Sequence, residues 1–476
     1  MVKVLFVNPP YSPFTPPESV VPPLGLARVI TASKQTADIR LVDMGCEEVF
    51  GNDSWTLLDY ELRKFKPDII GIGPLTSANI YKGEEIAKYA KSLQQSIITI
   101  FGGADPSAAF EKRLNECKEL DAVAVGESEF LFAKFLDVWD KTKYWPKING
   151  LAFRNNGKII FSNVSRLSLD DFSRLPPPDW SFFHLDKYRK IANRFGFKPY
   201  LSLEMSRGCP YNCIFCVSKN VFGHHIKMRS QKNIIKELED AINRFGYTRF
   251  SFNDDNAGMN AEYLLSLSKK ILQNISTKIE FTLTMRPDSP LFDNKSILIN
   301  LVKAGLKEIF LGCESEDSKV IRKTIKTKNP DKWKEQIRYA IELCRKSKIA
   351  TRTNWMIALP EQTMESFLNT INFICEIKPN TSLISILQPY PGTDITNNIH
   401  GSWNSYGIKI LSSNPSDYSA SKYDPPIETK WLSRDEIIGL IYLFLRRVGS
   451  TSIADVSGSP YYLFEYWKNR GKVKLK

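Results

Sequence analysis

A short segment of the chain holds three cysteines, Cys209, Cys213 and Cys216, in the spacing C-x3-C-x2-C. Cysteine thiolates are the usual ligands of iron–sulfur clusters, and three on one loop can hold three corners of a cubane while the fourth iron keeps an open position. A structural zinc ion takes four protein ligands, so a zinc site would need a fourth from His224 or His225. The spacing therefore predicts a cluster with these three cysteines as metal ligands, and a zinc site is the structural alternative.

The overall composition places few limits on this chemistry. Apolar residues make up 42% and charged residues 25% of the 476 residues, which excludes wholesale disorder and collagen-like or mucin-like chains. The net charge of +13 is spread along the chain without a run of five basic residues, so it allows an anionic ligand without demanding one. The chain has no apolar run of about 18 residues and no signal-peptide pattern, and we expect a cytoplasmic protein without a transmembrane segment.

Cysteines in the cytoplasm stay reduced, so clustered ones bind metal or do redox work more often than they form disulfides. Outside the cluster motif, Cys313 adjoins Glu314 and is predicted to lie near a cavity. The other four lie on or near helical patterns, and we expect buried side chains there. These four are Cys46, Cys117, Cys344 and Cys375.

About the first 140 residues alternate strand and helix patterns, with buried-type strands predicted over 2–7, 39–43, 68–73, 97–101 and 122–125. This alternation predicts an α/β fold with a doubly wound parallel sheet, and ligands of such sheets bind at the carboxyl ends of the strands. Two of the turns at those ends contain glycines, which either let a large flat ligand approach the backbone or serve the turn alone. No G-x-G-x-x-G follows a strand, which disfavours a dinucleotide site.

A second strand-helix series surrounds the cysteines. A hairpin over 145–161 and three consecutive prolines at 176–178 separate it from the first series, since such prolines continue neither a helix nor a central strand. One strand pattern precedes the cysteines and five follow them. Six strand-helix units are fewer than the eight of a full barrel, so we expect a partial barrel with its chemistry at the carboxyl ends of the strands.

Motifs along the chain resemble those of the cobalamin-dependent radical S-adenosylmethionine (SAM) enzymes. The segments NPP, PPLGLA, PDIIGI, FGGADP and VGESE resemble, in order and spacing, the N-terminal cobalamin-binding domain of that family. The cysteine motif, with an aromatic residue before its last cysteine, is similar to the radical SAM signature. The resemblance implies a Rossmann-like cobalamin-binding domain over 1–142, a linker over 143–198, a radical SAM partial (β/α)6 barrel over 199–398 and a small, mostly helical C-terminal capping segment over 399–476.

The resemblance also implies cofactors and residue roles. A [4Fe-4S] cluster would be held by the three cysteines, with Phe215 packed beside it and SAM on the open iron. Asp254 and Asp255 would bind the SAM ammonium, and Arg286 its carboxylate. The further SAM contacts that it implies are Glu314, Ser315, Tyr390 and Pro391. Cobalamin would lie at the turns of the first sheet, against Asn8, Pro10, Pro74, Leu75, Thr76, Ser77, Gly102, Gly103, Ala104, Gly126 and Glu127.

Three features depart from what is common in related proteins. The family commonly has GGPH where this chain has GGAD at 102–105, and it often has GLPGET where this chain has ALPEQT at 358–363. The Asp-x-His-x-x-Gly motif, by which other cobalamin proteins supply a lower axial histidine, is absent, and none of the four histidines falls in the first domain. A bound cobalamin would therefore meet no imidazole from that domain, and the loop 74–79 would face its cobalt.

The function that the resemblance implies is methylation of an unactivated carbon in a small molecule, lipid or natural product. One SAM would supply the methyl group through cobalamin, and another would supply a 5′-deoxyadenosyl radical. A radical SAM cyclase or ring-rearranging enzyme is the first alternative, and a non-catalytic cobalamin or redox sensor is another. An RNA methylthiotransferase would carry three further cysteines in its N-terminal domain, which here holds only Cys46 and Cys117.

Partners follow from the same resemblance. The implied electron donor is a protein such as flavodoxin or ferredoxin, and no nucleic-acid module follows the barrel. The segment 460–467, PYYLFEYW, is dense in aromatic residues. We expect it to pack the C-terminal helix, or else to line a pocket for a large apolar substrate.

Overall fold

The computed structural model describes residues 1–13, 15, 19–396, 401–419 and 424–449. The aromatic segment 460–467 lies outside the described residues. The chain folds as two compact units. The first comprises Met1–Ser12, Val20–Pro210 and Val217–Arg249, and the second comprises Pro13–Ser19, Tyr211–Cys216 and Phe250–Lys476.

The first unit contains the strand-helix alternation that the sequence predicts. Its strands are β1 (Val2–Asn8), β2 (Ala37–Asp43), β3 (Ile69–Ile72), β4 (Ile98–Gly102), β5 (Ala122–Ala124), β6 (Leu151–Asn155), β7 (Lys158–Ile160), β8 (Leu201–Leu203), β9 (Ser206–Arg207) and β10 (Lys227–Met228). Its helices are α1 (Leu24–Ser33), α2 (Met44–Phe50), α3 (Ser54–Phe65), α4 (Ile80–Leu93), α5 (Ala104–Glu116), α6 (Glu129–Leu136), α7 (Leu169–Arg174), α8 (Leu185–Arg194), α9 (Ser218–Val221) and α10 (Gln231–Asn243).

A seven-stranded sheet in the order β2-β1-β3-β4-β5-β6-β7 forms the centre of this unit. Strands β1 to β5 pair in parallel, and every residue of β3 is buried, as expected for a strand covered on both faces. The predicted parallel α/β sheet is therefore confirmed. The hairpin β6–β7 continues this sheet in antiparallel fashion, and its turn residues Asn156 and Gly157 take the positive φ values, 48° and 76°, that a two-residue hairpin turn requires.

The second unit is built around a parallel sheet in the order β15-β14-β13-β12-β11. Its strands are β11 (Arg249–Phe252), β12 (Glu280–Met285), β13 (Leu306–Glu314), β14 (Ala350–Ile357), β15 (Thr381–Ile386), β16 (Ile408–Ile410) and β17 (Ile427–Thr429). Its helices are α11 (Ala261–Asn274), α12 (Lys295–Ala304), α13 (Ser318–Lys323), α14 (Trp333–Lys346), α15 (Met364–Ile377) and α16 (Arg434–Val448). With β8 before the cysteines, all six predicted strands are present. Among the residues that the structure describes, no helix is long and apolar enough to cross a membrane.

A buried network of ion pairs lies within the first unit. Arg28 donates to Glu204 at 2.6 Å and to Glu237 at 3.1 Å, and Arg229 donates to the same Glu237 at 2.6 Å. All four side chains are nearly inaccessible to water. Removing one partner of such a pair strands a charge in the interior, which costs about 3–5 kcal/mol.

The same network continues to the strand directly before the cysteine motif. Arg207 of β9 donates to Glu204 at 2.8 Å, to Glu127 at 2.9 Å and to Glu129 at 2.6 Å. Lys227 of β10 donates to Glu127 as well. The start of the cysteine motif is therefore held by charges from the turn after β5.

Glu204 makes the network sensitive to acid. Burial alone would raise its pKa, but the charges of Arg207 and Arg28 outweigh burial and lower it from 4.5 to about 2. A carboxylate with a lowered pKa stabilises the folded state above its unfolded pKa, and that contribution is lost as the pH falls through the folded pKa. We expect up to about 3 kcal/mol of stability to be lost between about pH 4.5 and pH 2.

The test compares Glu204→Gln with wild type by denaturant unfolding at several pH values. The variant should be less stable at pH 6 and should lose less stability on acidification, because Gln does not titrate. Glu239→Gln, at an exposed position of α10, is the matched control and should follow wild type. Equal acid sensitivity of Glu204→Gln and wild type would contradict this assignment.

Two turns of the first sheet interlock at its carboxyl edge. The Leu75 amide donates to the Gly102 carbonyl at 2.8 Å, and the Asp105 amide donates to the Leu75 carbonyl at 3.3 Å. Gly103 sits between them with φ 130° and ψ −177°, and a Cβ there would overlap the backbone of Leu75. This glycine is therefore required by the neighbouring turn of the protein itself.

Gly103→Ala should lower the free energy of unfolding by about 3 kcal/mol or more, because a disfavoured conformation and a backbone clash add together. Gly51→Ala is the matched control. Gly51 also has positive φ, 105°, but nothing lies within 4 Å of a Cβ there, so about 1 kcal/mol is expected. Thermal unfolding of both variants measures the two losses in free energy of unfolding. Equal losses would show that the two turns can move apart to accommodate the new methyl group.

Candidate active site

Each unit holds its part of the cysteine motif by backbone hydrogen bonds. In the first unit, the Cys209 amide donates to the Gly223 carbonyl at 3.3 Å. In the second unit, the Cys216 amide donates to the Cys213 carbonyl at 3.1 Å. Between these two cysteines, Ile214 donates its amide to the Thr324 carbonyl at 3.2 Å and accepts from the Asp394 amide at 3.1 Å. Cys213 and Cys216 thus lie on a loop fixed on both sides.

A buried arginine lies beside this loop. Arg286, at the end of β12, makes a bidentate pair with Asp288 at 2.8 and 2.7 Å, and its guanidinium lies 3.5 Å from the ring centre of Tyr211. Burial alone would lower the pKa of Arg286, but the hydrogen bonds and charge of Asp288 and the charge of Cys213 raise it. Its Nη1 is buried without a hydrogen-bond partner, so one donor of a permanently charged group remains open to a ligand.

A buried lysine faces the same cysteine. Lys326 pairs with Glu314 at 2.8 Å, and both side chains are less than 10% exposed. Burial alone would lower the pKa of Lys326, but the charges of Glu314 and Cys213 outweigh burial and raise it. This ion pair therefore lies near the loop of Cys213, since Ile214 of that loop donates to Thr324, two residues before Lys326.

Local backbone geometry brings Glu314 to this lysine. The pairing of β13 with β14 shifts between Gly312 and Glu314, and Glu314 has a left-handed φ of 62°. A Cβ on Gly312 would lie 2.9 Å from the Glu314 carboxylate and 3.2 Å from Lys326 Nζ. The absent side chain of Gly312 thus provides the space for the ion pair, and Asn354 donates to the other carboxylate oxygen at 3.4 Å.

Two more buried polar groups at strand ends have unused hydrogen-bonding capacity. Neither amide atom of Asn256, four residues after β11, has a hydrogen-bond partner. Gln388, two residues after β15, has a free Oε1. Both residues are buried, with relative exposures of 3% for Asn256 and 2% for Gln388. Buried polar groups without a partner are rare in proteins, so these atoms and Arg286 Nη1 fit a site that binds a polar ligand.

The structure places the other predicted residues of this unit as follows. Asp254 and Ser315 are buried, and Ser315 accepts from the Trp333 indole through its carbonyl at 3.1 Å. Asp255 and Phe215 are half-buried. The predicted contacts Tyr390 and Pro391 are also half-buried, in a turn closed by the Thr393 hydroxyl, which donates to the Tyr390 carbonyl at 2.6 Å.

At the carboxyl edge of the first sheet, three predicted side chains are already engaged. Asn8 donates to Asp43 at 2.7 Å, and Ser77 donates to Asp105 at 2.6 Å. Both oxygens of Glu127 accept bonds within the ion network. Because their hydrogen-bonding groups are occupied within the protein, these side chains hold the turns in place and do not themselves contact a ligand at the edge.

The remaining predicted residues divide by burial. Pro10 and Leu75 are buried. The residues accessible at this edge are Pro74, Thr76, Gly102, Gly103, Ala104 and Gly126. A ligand at the edge would therefore meet mostly backbone, together with the side chains of Pro74 and Thr76.

The departure from GGPH at 102–105 has a structural counterpart. Asp105 is buried and receives two bonds from Arg113, at 2.7 and 3.0 Å, besides that from Ser77. Arg113 is itself completely buried. Asp105 therefore anchors the turn of Ser77 to α5, and its carboxylate is not directed at the sheet edge.

The cysteines outside the motif follow the prediction with one exception. Cys46, Cys117 and Cys344 are buried as predicted, and Cys313 is fully buried. The prediction for Cys375 is wrong, because it lies exposed on α15 with its sulfur 3.9 Å from the Arg447 carbonyl.

The assignment of the three cysteines as metal ligands rests on the chemistry of their thiolates. Within the described ranges, the structure gathers no group of three or more His, Cys, Asp or Glu side chains in a geometry ready for a metal ion. His224 and His225, the additional ligands of the zinc alternative, are exposed. The ligand role of the three cysteines stays a prediction.

Comparison with known proteins identifies the second strand-helix series. Residues 203–374 match the Radical SAM superfamily. The chain therefore contains a radical SAM domain. The match includes the cysteine motif and most strand ends described above, and it confirms the identification made from the motifs.

Similarity to two relatives extends over nearly the whole length of this chain. It is 27% identical over 454 residues to an uncharacterized methyltransferase of Pyrococcus horikoshii, covering 93% of this chain and 91% of the relative. It is 24% identical over 445 residues to the anaerobic magnesium-protoporphyrin IX monomethyl ester cyclase of Cereibacter sphaeroides, covering 92% and 68%.

The fold is shared with a solved radical SAM methyltransferase. TsrM from Kitasatospora setae, determined with cobalamin and a [4Fe-4S] cluster bound, superimposes with a TM-score of 0.74 at 14% identity, covering 94% of this chain and 89% of TsrM. This likeness confirms the predicted fold class.

Sequence reasoning missed four residues of the candidate site: Asp288, Asn256, Lys326 and Gln388. Asn256 and Gln388 stand one or two residues from predicted positions, so a wider reading of the strand ends would have included them. Lys326 lies 12 residues beyond Glu314 and follows α13. No spacing rule indicates that it returns to Glu314.

Gly312→Ala tests the ion pair beside Cys213. The new methyl group should displace Glu314 and Lys326 and weaken SAM binding about tenfold, which corresponds to about 1.4 kcal/mol. The fold should persist, because the displaced atoms end flexible side chains. Isothermal titration with SAM measures the effect, with Gly439→Ala on α16, where nothing lies within 4 Å of the new Cβ, as control. An unchanged affinity of Gly312→Ala for SAM would show that the Glu314–Lys326 pair is not part of the SAM-binding site.

Proposed function

We propose that this radical SAM protein is a cobalamin-dependent methyltransferase that acts on an unactivated carbon. The observation that carries the proposal is the set of open bonding groups at the strand ends of the second unit, among them Arg286, which contacts Tyr211 of the loop that holds Cys213 and Cys216. The relative from Pyrococcus horikoshii is named a methyltransferase and matches over 91% of its length. TsrM, a methyltransferase with both cofactors bound, shares the fold.

The residues divide into two sets of roles. Cys209, Cys213 and Cys216 would hold the [4Fe-4S] cluster. Arg286 would donate its free Nη1 to the SAM carboxylate, and Asn256, with a free donor and a free acceptor, would bind SAM beside Asp254. The predicted contacts Asp255, Glu314, Ser315, Tyr390 and Pro391 complete the SAM set, with Phe215 beside the cluster.

Charge and burial decide what each of these groups can do. Lys326 fixes the position of the Glu314 carboxylate by donating to it at 2.8 Å. Arg286 is fixed by Asp288 and Tyr211, so its open donor has one direction. The site therefore orients a polar ligand with groups that are already in place, which reduces the ordering cost of binding.

Cobalamin would bind at the carboxyl edge of the first sheet. Backbone at Gly102, Gly103, Ala104 and Gly126 and the side chains of Pro74 and Thr76 would contact it, while Asn8, Ser77 and Glu127 hold the turns in place. When bound, the cofactors supply one-electron cleavage of SAM, hydrogen abstraction and a transferable methyl group. An electron donor such as flavodoxin or ferredoxin would serve the cluster.

Cysteine variants test the catalytic assignment under anaerobic conditions. Protein reconstituted with iron and sulfide and then reduced should convert SAM to 5′-deoxyadenosine. Cys213→Ala should lose bound iron and reduce this product to background. Cys375→Ala, which changes the exposed cysteine of α15, should keep both. Wild-type iron content in Cys213→Ala would overturn the ligand assignment, and no cleavage by wild type would leave the sensor alternative in its place.

The reaction type is tested by mass spectrometry of extracts from cells with and without the gene. A methyltransferase predicts a compound heavier by one methyl group in cells that have the gene. A cyclase, favoured by the similarity to the magnesium-protoporphyrin enzyme of Cereibacter sphaeroides, predicts a change in hydrogen or oxygen content without an added carbon.

A further inference from the structure

The sheet of the second unit has two faces of opposite character. On β14, Thr351, Thr353 and Trp355 are buried on one face. The Trp355 ring contacts Phe373 of α15, with ring centres 6.3 Å apart. This face is therefore the one covered by helices, and the residues between these positions lie on the opposite face.

Pairing across the strands shows which residues share the opposite face. Thr282 is opposite Glu308, Phe310 is opposite Arg352, and Asn354 is opposite Leu383. These side chains are half-buried, whereas their neighbours along each strand are mostly fully buried. Residues paired in parallel strands point to the same side, so they form one continuous surface.

This surface, which we call the polar face, is unusual for the inside of a sheet. Its uncharged polar side chains are Ser251, Thr282, Thr284, Asn354, Thr381 and Ser385. They lie on β11, β12, β14 and β15, across a width of about 19 Å at about 4.8 Å per strand. Between them, β13 contributes Glu308 and Phe310 to this face. A surface of hydroxyl and amide groups at positions where sheets carry aliphatic side chains indicates contact with water or with a polar ligand.

Hydrogen bonds join the polar face laterally and connect it to the candidate active site. Thr282 donates to Ser251 at 3.1 Å, and Ser385 donates to Asn354 at 2.9 Å. Asn354 in turn donates to Glu314 at 3.4 Å. The polar face is thus continuous, within this unit, with the ion pair beside Cys213.

The charged groups of the polar face also have open capacity. Arg352 pairs with Glu308 at 3.3 Å, and its Nε is buried without a hydrogen-bond partner. The pair is close to neutral as a whole. The surface therefore offers donors and acceptors without a strong field of either sign.

An apolar molecule on this surface would displace water and leave these groups unpaired. Each stranded buried donor or acceptor costs about 1–3 kcal/mol. A site built to hydrogen-bond its substrate rejects analogues without those groups by about 10⁴–10⁵. A ligand with hydroxyl or amide groups along its length would replace the water bonds with its own.

From this we infer that the substrate is a water-soluble small molecule, rich in hydroxyl or amide groups, that binds on the polar face. It would not be a hydrocarbon lipid or a tetrapyrrole ester. This inference rests on the proposed function for the chemistry performed, but binding to the polar face can be measured separately from that chemistry.

The experiment is affinity selection without reductant, so that no SAM is cleaved. Full-length reconstituted protein is incubated with a methanol–water extract or a chloroform extract of the cells that encode it. Bound molecules are then separated from free ones, released and identified by mass spectrometry. Wild type should retain at least one compound other than SAM, its degradation products and cobalamin from the methanol–water extract, and none specifically from the chloroform extract.

The double variant Thr282→Val, Thr284→Val removes two hydroxyl groups of the polar face with little change in side-chain shape. It should retain the water-soluble compound at least tenfold less, with iron content and SAM affinity equal to wild type. Thr277→Val, at an exposed loop position, is the control and should behave as wild type. If iron content shows that the double variant does not fold, Thr282→Val alone is compared with Thr282→Ser, which keeps the hydroxyl.

Three results would overturn the inference. They are selective retention of a compound from the chloroform extract, no retention from the methanol–water extract of any compound besides SAM, its degradation products and cobalamin, and equal retention of such a compound by wild type and the double variant. None of them depends on SAM cleavage, so a failed cleavage assay would count against the proposed function and not against the substrate class.

Discussion

The buried charge of Lys326 is the constraint on which the candidate site depends. An ammonium that is less than 10% exposed requires an anion, and Glu314 provides it at 2.8 Å. Glu314 reaches this position only because β13 is irregular at its end and Glu314 adopts a left-handed conformation. The pair fits only because Gly312 has no side chain. The ion pair thus accounts for three features that would otherwise lower stability: the glycine at 312, the left-handed conformation of Glu314 and the irregular end of β13. Strain of this kind persists where the surroundings fix it, and here it keeps a fixed positive charge beside Cys213.

The first unit uses buried charge in the same way, but to hold turns. Glu127 and Ser77 follow strands whose carboxyl ends meet at one edge, and both are bonded to charged partners inside the protein. Such bonds fix the loops while leaving backbone at the edge accessible. Asp105 stands where the family commonly has the histidine of GGPH. It accepts two hydrogen bonds from Arg113 and one from Ser77, so the turn is still held in place despite the departure from the motif.

Much of the fold could be predicted from the sequence because the signals are local. Runs such as 68–73 indicate buried strands, and the cysteine spacing is a contiguous pattern. The residues that were missed depend on contacts between distant segments. Lys326 meets Glu314 only after α13 has turned the chain back, and the open Nη1 of Arg286 becomes apparent only when Asp288 and Tyr211 are in place. The prediction for Cys375 failed for a related reason. Helical periodicity indicates that a residue lies on a helix, but it does not show which positions of that helix the neighbouring elements cover.

The charge balance of the second unit favours SAM over other polar ligands. Lys326 and Arg286 each have a carboxylate partner of their own, Glu314 and Asp288, so each pair contributes little net charge. The thiolates required of cluster ligands add negative charge. In a region of low dielectric such charge must be balanced nearby. A ligand with a sulfonium and an ammonium supplies that balance, and its single carboxylate can take the one open donor of Arg286. A nucleotide polyphosphate would bring several negative charges to a site whose two buried cations are already paired, so the electrostatics of these residues oppose it.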